Sequence, residues 1–304
     1  AAPSSAAASA AATPTATIPF YKYHGIGNDF ILIDNRHAAD PLLTPARSAA
    51  LCDRHTGIGA DGVIFLLPPP AGSAAVCAMR IYNSDGSEPE MCGNGIRCLA
   101  RFAADVAPDL ADPAGALPVH TLAGRIIPEI VPAGLVRVDM GAPELRPDAI
   151  PALVDVMAGG RPGRDAVEVD GRAWDLTAVS MGNPHCVIFV SADEARRVDA
   201  DLERIGPLFE SHPIFPRKTN TEFIQVLSPA ELNMTVWERG AGRTMACGTG
   251  ACAVVVAGVL TGKTAREVLV HLPGGDLSIE WREEDGHVYM TGPAEFVFSG
   301  VVAP

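Results

Sequence analysis

The sequence MCGNG at residues 91–95 returns as ACGTG at residues 246–250, which places Cys247 155 residues after Cys92. Other glycine and polar positions share this spacing: Gly27-Asn28 with Gly182-Asn183, Asn83 with Glu238, and Gly95 with Gly250. One constant offset across four blocks indicates an internal repeat without net insertion. We therefore predict two similar domains that face each other, each containing one of the two cysteines.

The sequence between these blocks predicts many short strands and few helices. Strands are indicated at residues 31–34, 63–67, 76–82, 135–140, 167–169, 173–179, 186–190, 222–226 and 234–237. Helices are predicted after the capping residue Thr44, which Pro45 follows, and directly after each repeated cysteine. A chain of 304 residues can form two cores of ordinary size. We thus predict an α+β fold with domains at 18–142 and 143–292.

The composition limits the partners of the protein. Its 23 Lys and Arg residues are outnumbered by 36 Asp and Glu residues, which gives a net charge of -13. Such a chain lacks the basic surface that binds the phosphates of nucleic acids or anionic membranes. It also lacks an uninterrupted apolar run of the length, about 18 residues, that a membrane span needs. We expect a small-molecule partner, and neither nucleic acid nor a membrane.

Cysteine usage and the first residues bear on the compartment. The seven cysteines are an odd number and form no C-x-x-C pair, which favours a reducing compartment and argues against structural zinc. Residues 1–17 contain only Ala, Pro, Ser and Thr. We interpret them as the disordered remnant of a leader. Transit peptides share this bias but are usually rich in Arg. The expected location is the plastid (chloroplast stroma) for such a remnant, and otherwise the cytoplasm.

Cys92 and Cys247 each precede a predicted helix. The unpaired N–H groups and the dipole at a helix N-terminus favour anions. A thiol there is expected to have a pKa below its free value of about 8.5, and the same N–H groups can hold a carboxylate. The alternatives are that both cysteines are buried core residues, as we expect for the other five, or that they form a structural disulfide.

Polar side chains gather beside the repeated blocks: Asn28, Asn83, Asn94, Asn183, Asn220, Glu238 and Arg239. One Asn near a turn commonly serves only that turn, but seven polar residues predict a pocket in which Arg239 offers a carboxylate two donors. His24 and His185 either support this pocket or simply end strands. The G-x-G-x-x-G match at 57–62 leaves a helix and enters a strand, the reverse of a dinucleotide-binding loop, so no such cofactor is expected.

Several motifs together resemble those of the diaminopimelate epimerase family, from residue 20 to the end of the chain. They are YHGIGNDF (23–30), NSDGSE (83–88), MCGNG (91–95), MGNPH (181–185), TNTE (219–222), WERG (237–240) and ACGTGA (246–251). The resemblance implies two α+β domains, each a barrel-like sheet around a central helix, with the active site in the cleft between them. The last strand, about 293–304, would return to the first domain. The implied activity converts L,L- to meso-diaminopimelate in lysine biosynthesis, without metal or cofactor.

The resemblance also implies roles for individual residues. Cys92 and Cys247 would be the acid/base pair, one on each side of the reacting carbon. The backbone that would hold the reacting carboxylate belongs to Gly93, Asn94, Gly248 and Thr249. The remaining substrate contacts would come from Asn28, Asn83, Asn183, Asn220, Glu238 and Arg239. The chain departs from the family at Gly62, where some relatives carry a polar side chain that contacts substrate.

Two alternative functions stay open at this point. One is another cofactor-independent racemase or isomerase of the same fold, such as a proline racemase, whose first motif typically has His where this chain has Asn94. The other is a non-catalytic amino-acid-binding protein, for which binding alone would need no thiol. The sequence also leaves open whether the protein forms a homodimer.

Overall fold

The computed structural model describes residues 17–154, 156–157, 161–162 and 164–304, so the predicted leader lies outside the described residues except for Thr17. The elements of the first half are β1 (Ile18–Gly25), β2 (Asn28–Asp34), α1 (Pro45–Cys52), β3 (Gly62–Leu67), β4 (Cys77–Asn83), α2 (Gly93–Val106), β5 (Val119–Thr121), β6 (Gly124–Ile126), β7 (Glu129–Val131) and β8 (Leu135–Asp139). Two short 3-10 helices span Pro108–Leu110 and Pro132–Gly134.

The second half follows the same style. Its elements are β9 (Val156–Met157), β10 (Arg161–Pro162), β11 (Arg164–Val169), β12 (Arg172–Ser180), β13 (Pro184–Val190), α3 (Ala192–Glu210), β14 (Asn220–Ser228), β15 (Glu231–Glu238), β16 (Gly242–Arg243), α4 (Gly248–Leu260), β17 (Glu267–Leu272), β18 (Gly275–Trp281), β19 (Val288–Gly292) and β20 (Glu295–Val302). The α+β class predicted from the sequence is confirmed.

The strand order repeats between the two halves. The first sheet runs β20-β1-β2-β3-β4-β5-β6, and the second contains β12-β13-β14-β15-β17-β18 in the matching order. From β1 and from β12 onward, neighbouring strands alternate in the same way between antiparallel and parallel pairing. The constant offset in the sequence is therefore a structural repeat.

One helix lies at the centre of each sheet and begins directly after a repeated cysteine, as predicted. α2 buries nine of its 14 residues and α4 buries ten of its 13. A helix that is apolar on all sides, as α4 is, needs a protein interior around it. None of the helices in the described residues is long and apolar enough to cross a membrane.

A second helix covers the outside of each sheet. α1 begins as predicted after Thr44, whose hydroxyl accepts a hydrogen bond from the Arg47 N–H. α3, with 19 residues, was not among the predicted helices. Its start is marked by a capping box in which Ser191 and Glu194 satisfy each other's backbone N–H groups. That signal was present in the sequence, and it precedes apolar positions spaced three or four residues apart, from Val198 to Phe209.

The two halves exchange strands. β20 pairs antiparallel with β1 from Ile18 with Val302 to His24 with Glu295, the arrangement that the family resemblance implies. In the other direction, β8 pairs with β19, and β7 pairs with β8. The first domain predicted from the sequence, 18–142, thus includes two strands, β7 and β8, that hydrogen-bond within the second sheet. The side chains of β8 explain the difference, because Val136 and Val138 pack into the core around α2 while their backbone extends the second sheet.

Candidate active site

Cys92 and Cys247 are the N-cap residues of the two central helices. The two helix starts converge on Met290 of β19. A methyl group placed on Gly93 would lie 3.3 Å from Met290 Cε, and one placed on Gly248 would lie 3.4 Å from the same atom. The structure therefore brings both cysteines, and the first N–H groups of both helices, to one place between the two sheets.

The first half contributes two asparagines to this place. Asn94 Nδ2 donates to Asn28 Oδ1 at 3.1 Å, and Asn28 Oδ1 lies 4.0 Å from Cys92 Sγ. Asn28 in turn donates from Nδ2 to Asp61 Oδ2 at 2.6 Å. Because a carboxylate can only accept, Asp61 fixes the Asn28 amide with its oxygen towards Cys92. Asp61 was not among the predicted site residues, although it lies inside the glycine-rich match at 57–62 that the sequence shows.

The second half contributes a buried acid and histidine. His185 contacts Glu222 Oε1 through Nδ1 at 2.6 Å and Asn183 Oδ1 through Nε2 at 3.0 Å. The side chains of His185 and Glu222 have no exposed surface, and burial raises the pKa of Glu222. Ligand atoms of His185, Glu222 and Cys247 lie within 4.8 Å of one another. His185 and Glu222 already pair with each other, so the cluster is a hydrogen-bonded acid and histidine beside a thiol.

Glu222 belongs to the site, although it was not among the site residues predicted from the sequence. A methyl group on Gly250 would lie 2.7 Å from Glu222 Oε1 and 3.2 Å from Cys247 Sγ, so the carboxylate reaches the first turn of α4. Glycine is required at this position because any side chain would strike the carboxylate. The available signal was the acidic end of the TNTE motif (219–222), directly before the apolar residues Phe223 and Ile224 of β14.

Three other residues that were predicted to contact substrate lie further from the cysteines. Arg239 is exposed, and its guanidinium donates to the Arg217 carbonyl at 3.1 Å. The side chain of Asn220 is occupied by backbone, since it accepts from the Arg239 N–H at 2.9 Å and donates to the Pro184 carbonyl at 3.0 Å. Asn83 donates to Ser87 Oγ at 3.0 Å within its own turn. These three residues do not contact the cysteines.

Glu238 and Thr249 lie nearer to the thiols. Glu238 accepts a short hydrogen bond from the Thr244 hydroxyl and acts electrostatically on both cysteines. Thr249 Oγ1 lies 3.7 Å from Cys247 Sγ.

The expected fall of the thiol pKa is wrong for both cysteines. Burial raises the pKa of Cys92, against the opposing effects of the N–H groups of Gly95 and Asn94 and of the Arg97 charge. The pKa of Cys247 is raised further, first by burial and then by the nearby Glu238 and Glu222 carboxylates. The helix N-termini do favour the thiolates, but desolvation in a closed site outweighs them.

The glycine-rich segment at 57–62 follows α1 and ends in β3, the order that excluded a dinucleotide-binding loop. At Gly62 an added Cβ would lie 2.8 Å from the Tyr82 carbonyl oxygen. The backbone of β4 therefore occupies the space that a side chain would need at the position where this chain departs from some of its relatives.

Comparison with known proteins agrees with this architecture. The sequence model of the diaminopimelate epimerase family matches residues 20–146 and 177–297. The diaminopimelate epimerase of Nostoc punctiforme is 57% identical over 286 residues, which cover 93% of this chain and 99% of that protein. The enzyme of the same name from Trichodesmium erythraeum is 56% identical over 287 residues, covering 94% of this chain and 100% of that protein.

Solved structures share the fold at low sequence identity. A phenazine biosynthesis protein of the PhzF family from Bacillus anthracis has a TM-score of 0.64 at 15% identity and covers 94% of this chain and 99% of its own. A hydroxyproline epimerase from Agrobacterium vitis has a TM-score of 0.60 at 15% identity, with coverage of 94% and 92%. From its matching sequence profile and the identity of its relatives over nearly the whole length, the chain belongs to the diaminopimelate epimerase family.

Proposed function

We propose that the protein converts L,L-diaminopimelate to meso-diaminopimelate, the step that its family serves in lysine biosynthesis. The observation that carries this proposal is the convergence of Cys92 and Cys247, each at the start of a central helix, on Met290. Two thiols between two helix N-termini match a reaction that inverts one carbon beside a carboxylate. A protein that only binds an amino acid would need neither thiol.

The mechanism follows from the two helix starts. The substrate carboxylate binds the N–H groups at Gly93 and Asn94 and at Gly248 and Thr249, where both dipoles stabilise the negative charge that grows as the α-proton leaves. One cysteine, as thiolate, removes the proton from its face. The other, as thiol, donates its proton to the opposite face. The product is inverted, and the two sulfurs have exchanged protonation states.

Residues of both domains would bind the rest of the substrate. Asn28, held by Asp61, has its amide oxygen beside Cys92, and Asn183 is held by His185 in the second half. Arg239 binds the distal carboxylate in this proposal. Its guanidinium would exchange the Arg217 carbonyl for the substrate, while the Asn220 side chain holds its backbone in place. A carboxylate in a fork of two donors gains both affinity and orientation.

Solvent labelling tests the proposal. In deuterium oxide, with L,L-diaminopimelate as substrate, the first meso product should carry deuterium at the inverted carbon, while recovered L,L substrate stays largely unlabelled. The label enters because the donating thiol has exchanged with solvent, whereas the abstracted proton remains on the other sulfur. Mass spectrometry of both isomers at low conversion measures this. Early product that keeps its original α-hydrogen would contradict a mechanism with two bases.

We propose further that the protein is a homodimer paired through β20. This strand ends the first sheet, and among the described residues no strand pairs with its other side. Several of its apolar side chains are exposed to solvent: Phe296 by 52%, Val297 by 50% and Val301 by 65%. A free apolar edge of this kind calls for a partner strand. Light scattering should give the mass of two chains, and Val297→Glu with Val301→Glu should give one.

We propose a plastid location, with the cytoplasm as the alternative. The support is the Ala, Ser, Thr and Pro composition of residues 1–17 together with free thiols at all seven cysteines. Fractionation of source cells with an antibody against the protein tests this, and recovery outside the plastid fraction would contradict it.

A further inference from the structure

Arg97 is a fully buried cation whose described hydrogen-bond partners are all neutral. Its guanidinium donates to the carbonyl oxygens of Pro293 and Gly93, both at 3.3 Å, and to Asn94 Oδ1 at 3.1 Å. It also lies 3.5 Å from Met290 Sδ. The side chain has 0% exposure. Within the described residues, no salt bridge includes Arg97, and its hydrogen-bond acceptors are backbone carbonyls and an amide.

Such a charge needs an anion. Burial lowers the pKa of Arg97, but a guanidinium starts from a pKa above about 12 and stays protonated in proteins. Removing an ion of this size from water costs several kcal/mol even after relaxation. Neutral acceptors offset part of that cost, and a negative charge nearby would offset the rest. The fold keeps Arg97 in the interior, so a group close to it has to supply this charge.

Three thiols interact electrostatically with Arg97, those of Cys98, Cys92 and Cys252. The guanidinium also donates to Gly93 and Asn94, the two residues directly after Cys92, so it lies at the helix start that Cys92 caps. Cys98 and Cys252 lie inside the helices with 0% exposure, and burial raises the pKa of each to about 12. Cys92 differs in that its sulfur accepts the Gly95 N–H at 3.4 Å at the open first turn of α2. It is the thiol of the three that the backbone prepares for negative charge.

The equivalent place in the second half carries no cation. The residue 155 positions after Arg97 is Cys252, so α4 has no buried cation there. Cys247 instead has the Glu222 carboxylate and its partner His185 beside it. Glu238 acts on both cysteines and does not distinguish them. A thiolate is thus favoured at Cys92 by Arg97 and disfavoured at Cys247 by Glu222.

We propose that Arg97 is the counter-ion of Cys92 when that thiol ionises, so that in the form that starts the reaction Cys92 has lost its proton and Cys247 keeps its own. The catalytic consequence rests on the two-cysteine mechanism proposed above. Substrate whose α-hydrogen faces Cys92 reacts first: Cys92 takes that proton and becomes a thiol, while Cys247 gives its proton to the opposite face and becomes a thiolate. The enzyme returns to the form that starts the reaction when Cys92 loses a proton to solvent and Cys247 gains a proton from solvent.

The test compares the two thiols without turnover. In Cys247→Ala the rate of iodoacetamide alkylation at Cys92, followed by peptide mass spectrometry, is measured against pH, and in Cys92→Ala the same is done for Cys247. Each profile is scaled to its own plateau at high pH, so that the different accessibility of the two sulfurs cancels. The midpoint for Cys92 should lie below that for Cys247. A separation of one in pKa gives about a tenfold difference in thiolate fraction at neutral pH.

Arg97 itself is tested in the Cys247→Ala background. Arg97→Gln should lower the scaled rate at Cys92 about tenfold at neutral pH, and Arg97→Lys should recover part of it, since Lys keeps the charge. The matched control is Arg101→Gln, one turn further along α2, where the guanidinium is partly exposed and bonded to Asp105 at 3.3 Å. This control should leave the Cys92 midpoint unchanged.

The possible results distinguish a failure of the charge assignment from a failure of the proposed function. Equal midpoints, or a lower one for Cys247, overturn the proposal even if the Arg97 variants fail to fold, because that comparison keeps Arg97. A folded Arg97→Gln protein with an unmoved Cys92 midpoint overturns it as well. If instead the midpoints differ as expected but the intact protein does not turn over diaminopimelate, the charge assignment stands and the proposed function fails.

Discussion

The two halves of the molecule repeat each other in backbone and differ in charge. Six strands in the same order and one central helix follow the same plan in both, and each helix starts directly after a cysteine. The buried charged residues near those cysteines differ between the halves: Arg97 in the first, and Glu222 with His185 in the second. The shared backbone suits a carboxylate held from two sides, whereas the unequal charges suit two thiols in different protonation states.

Oxidation should remove the difference between the two cysteines. Two thiols close enough to flank one carbon can form a disulfide with each other, and neither sulfur could then carry a proton. We expect the oxidised protein to lose all measurable activity and dithiothreitol to restore it. Peptide mapping would locate the bond. Full activity in a protein with a mapped Cys92 to Cys247 bond would show that the thiols do not act as proposed.

Removing one thiol tests whether each half is needed. Cys92→Ala and Cys247→Ala should each lower the rate of epimerisation by about 10²–10⁴-fold or more, the contribution typical of a positioned acid or base. The remaining thiolate should still exchange the α-hydrogen of the isomer that faces it. Chiral chromatography and mass spectrometry follow the two processes. Cys52→Ala, in the outer helix α1, is the control and should stay near wild type, whereas near-normal epimerisation in either active-site variant would refute the two-base mechanism.

The repeat was readable from the sequence because it rests on local signals. Glycines and cysteines at one offset gave the two domains, and Thr44 with Pro45 gave the start of α1. The buried charges were not readable. Arg97 lies inside a helix, where an Arg is ordinarily on the solvent side. Only its contacts with Met290 of β19 and with Pro293, between β19 and β20, show that it is enclosed. Glu222 is likewise hidden, because its partner His185 is 37 residues away in the chain.

The exchanged strands have the same explanation. Val136 and Val138 alternate with polar residues in β8, which predicts a strand but not the sheet to which it belongs. Pairing partners far apart in the sequence are set by the whole fold. The raised pKa of the cysteines was missed for a related reason: a helix start is a local feature, whereas burial comes from residues in both halves.

Arg239 offers a way to test recognition separately from proton transfer. Arg239→Lys keeps a charge but loses the planar fork, so we expect the value of kcat/KM to fall about 100-fold, close to the loss of one charged hydrogen bond. The solvent labelling pattern should not change, since both cysteines are intact. Arg196→Lys, at an exposed position of α3 bonded to Asp193, serves as the control. An unchanged kcat/KM would remove Arg239 from the substrate site.

Glu222→Gln tests the asymmetry from the side of the second half. The change removes a buried negative charge next to Cys247 and keeps the shape, so the pKa of Cys247 should fall. We expect about a tenfold lower kcat, with the alkylation midpoint of Cys247 moved to lower pH and that of Cys92 almost unmoved. Glu231→Gln, at the start of β15 where the acid contacts His271, should change neither. A Cys247 midpoint that does not move would mean that Glu222 carries no charge in the resting protein.

The smallest effect concerns the outer helices, which also occupy matching places but begin differently. Ser191 and Glu194 satisfy two backbone N–H groups at the start of α3, since Ser191 Oγ accepts the Glu194 N–H at 3.3 Å and Glu194 Oε2 accepts the Ser191 N–H at 2.8 Å. Thr44 accepts one N–H, that of Arg47, at 3.2 Å. Ser191→Ala should therefore cost about 1 kcal/mol of unfolding free energy and Thr44→Ala about 0.5 kcal/mol.

Urea unfolding followed by circular dichroism measures both, with unchanged activity as the sign that neither cap reaches the cysteines. A larger loss for Thr44→Ala would reverse the order. It would show that the eight-residue α1, which Pro45 was expected to fix at its first turn, depends on its cap more than the 19-residue α3 does.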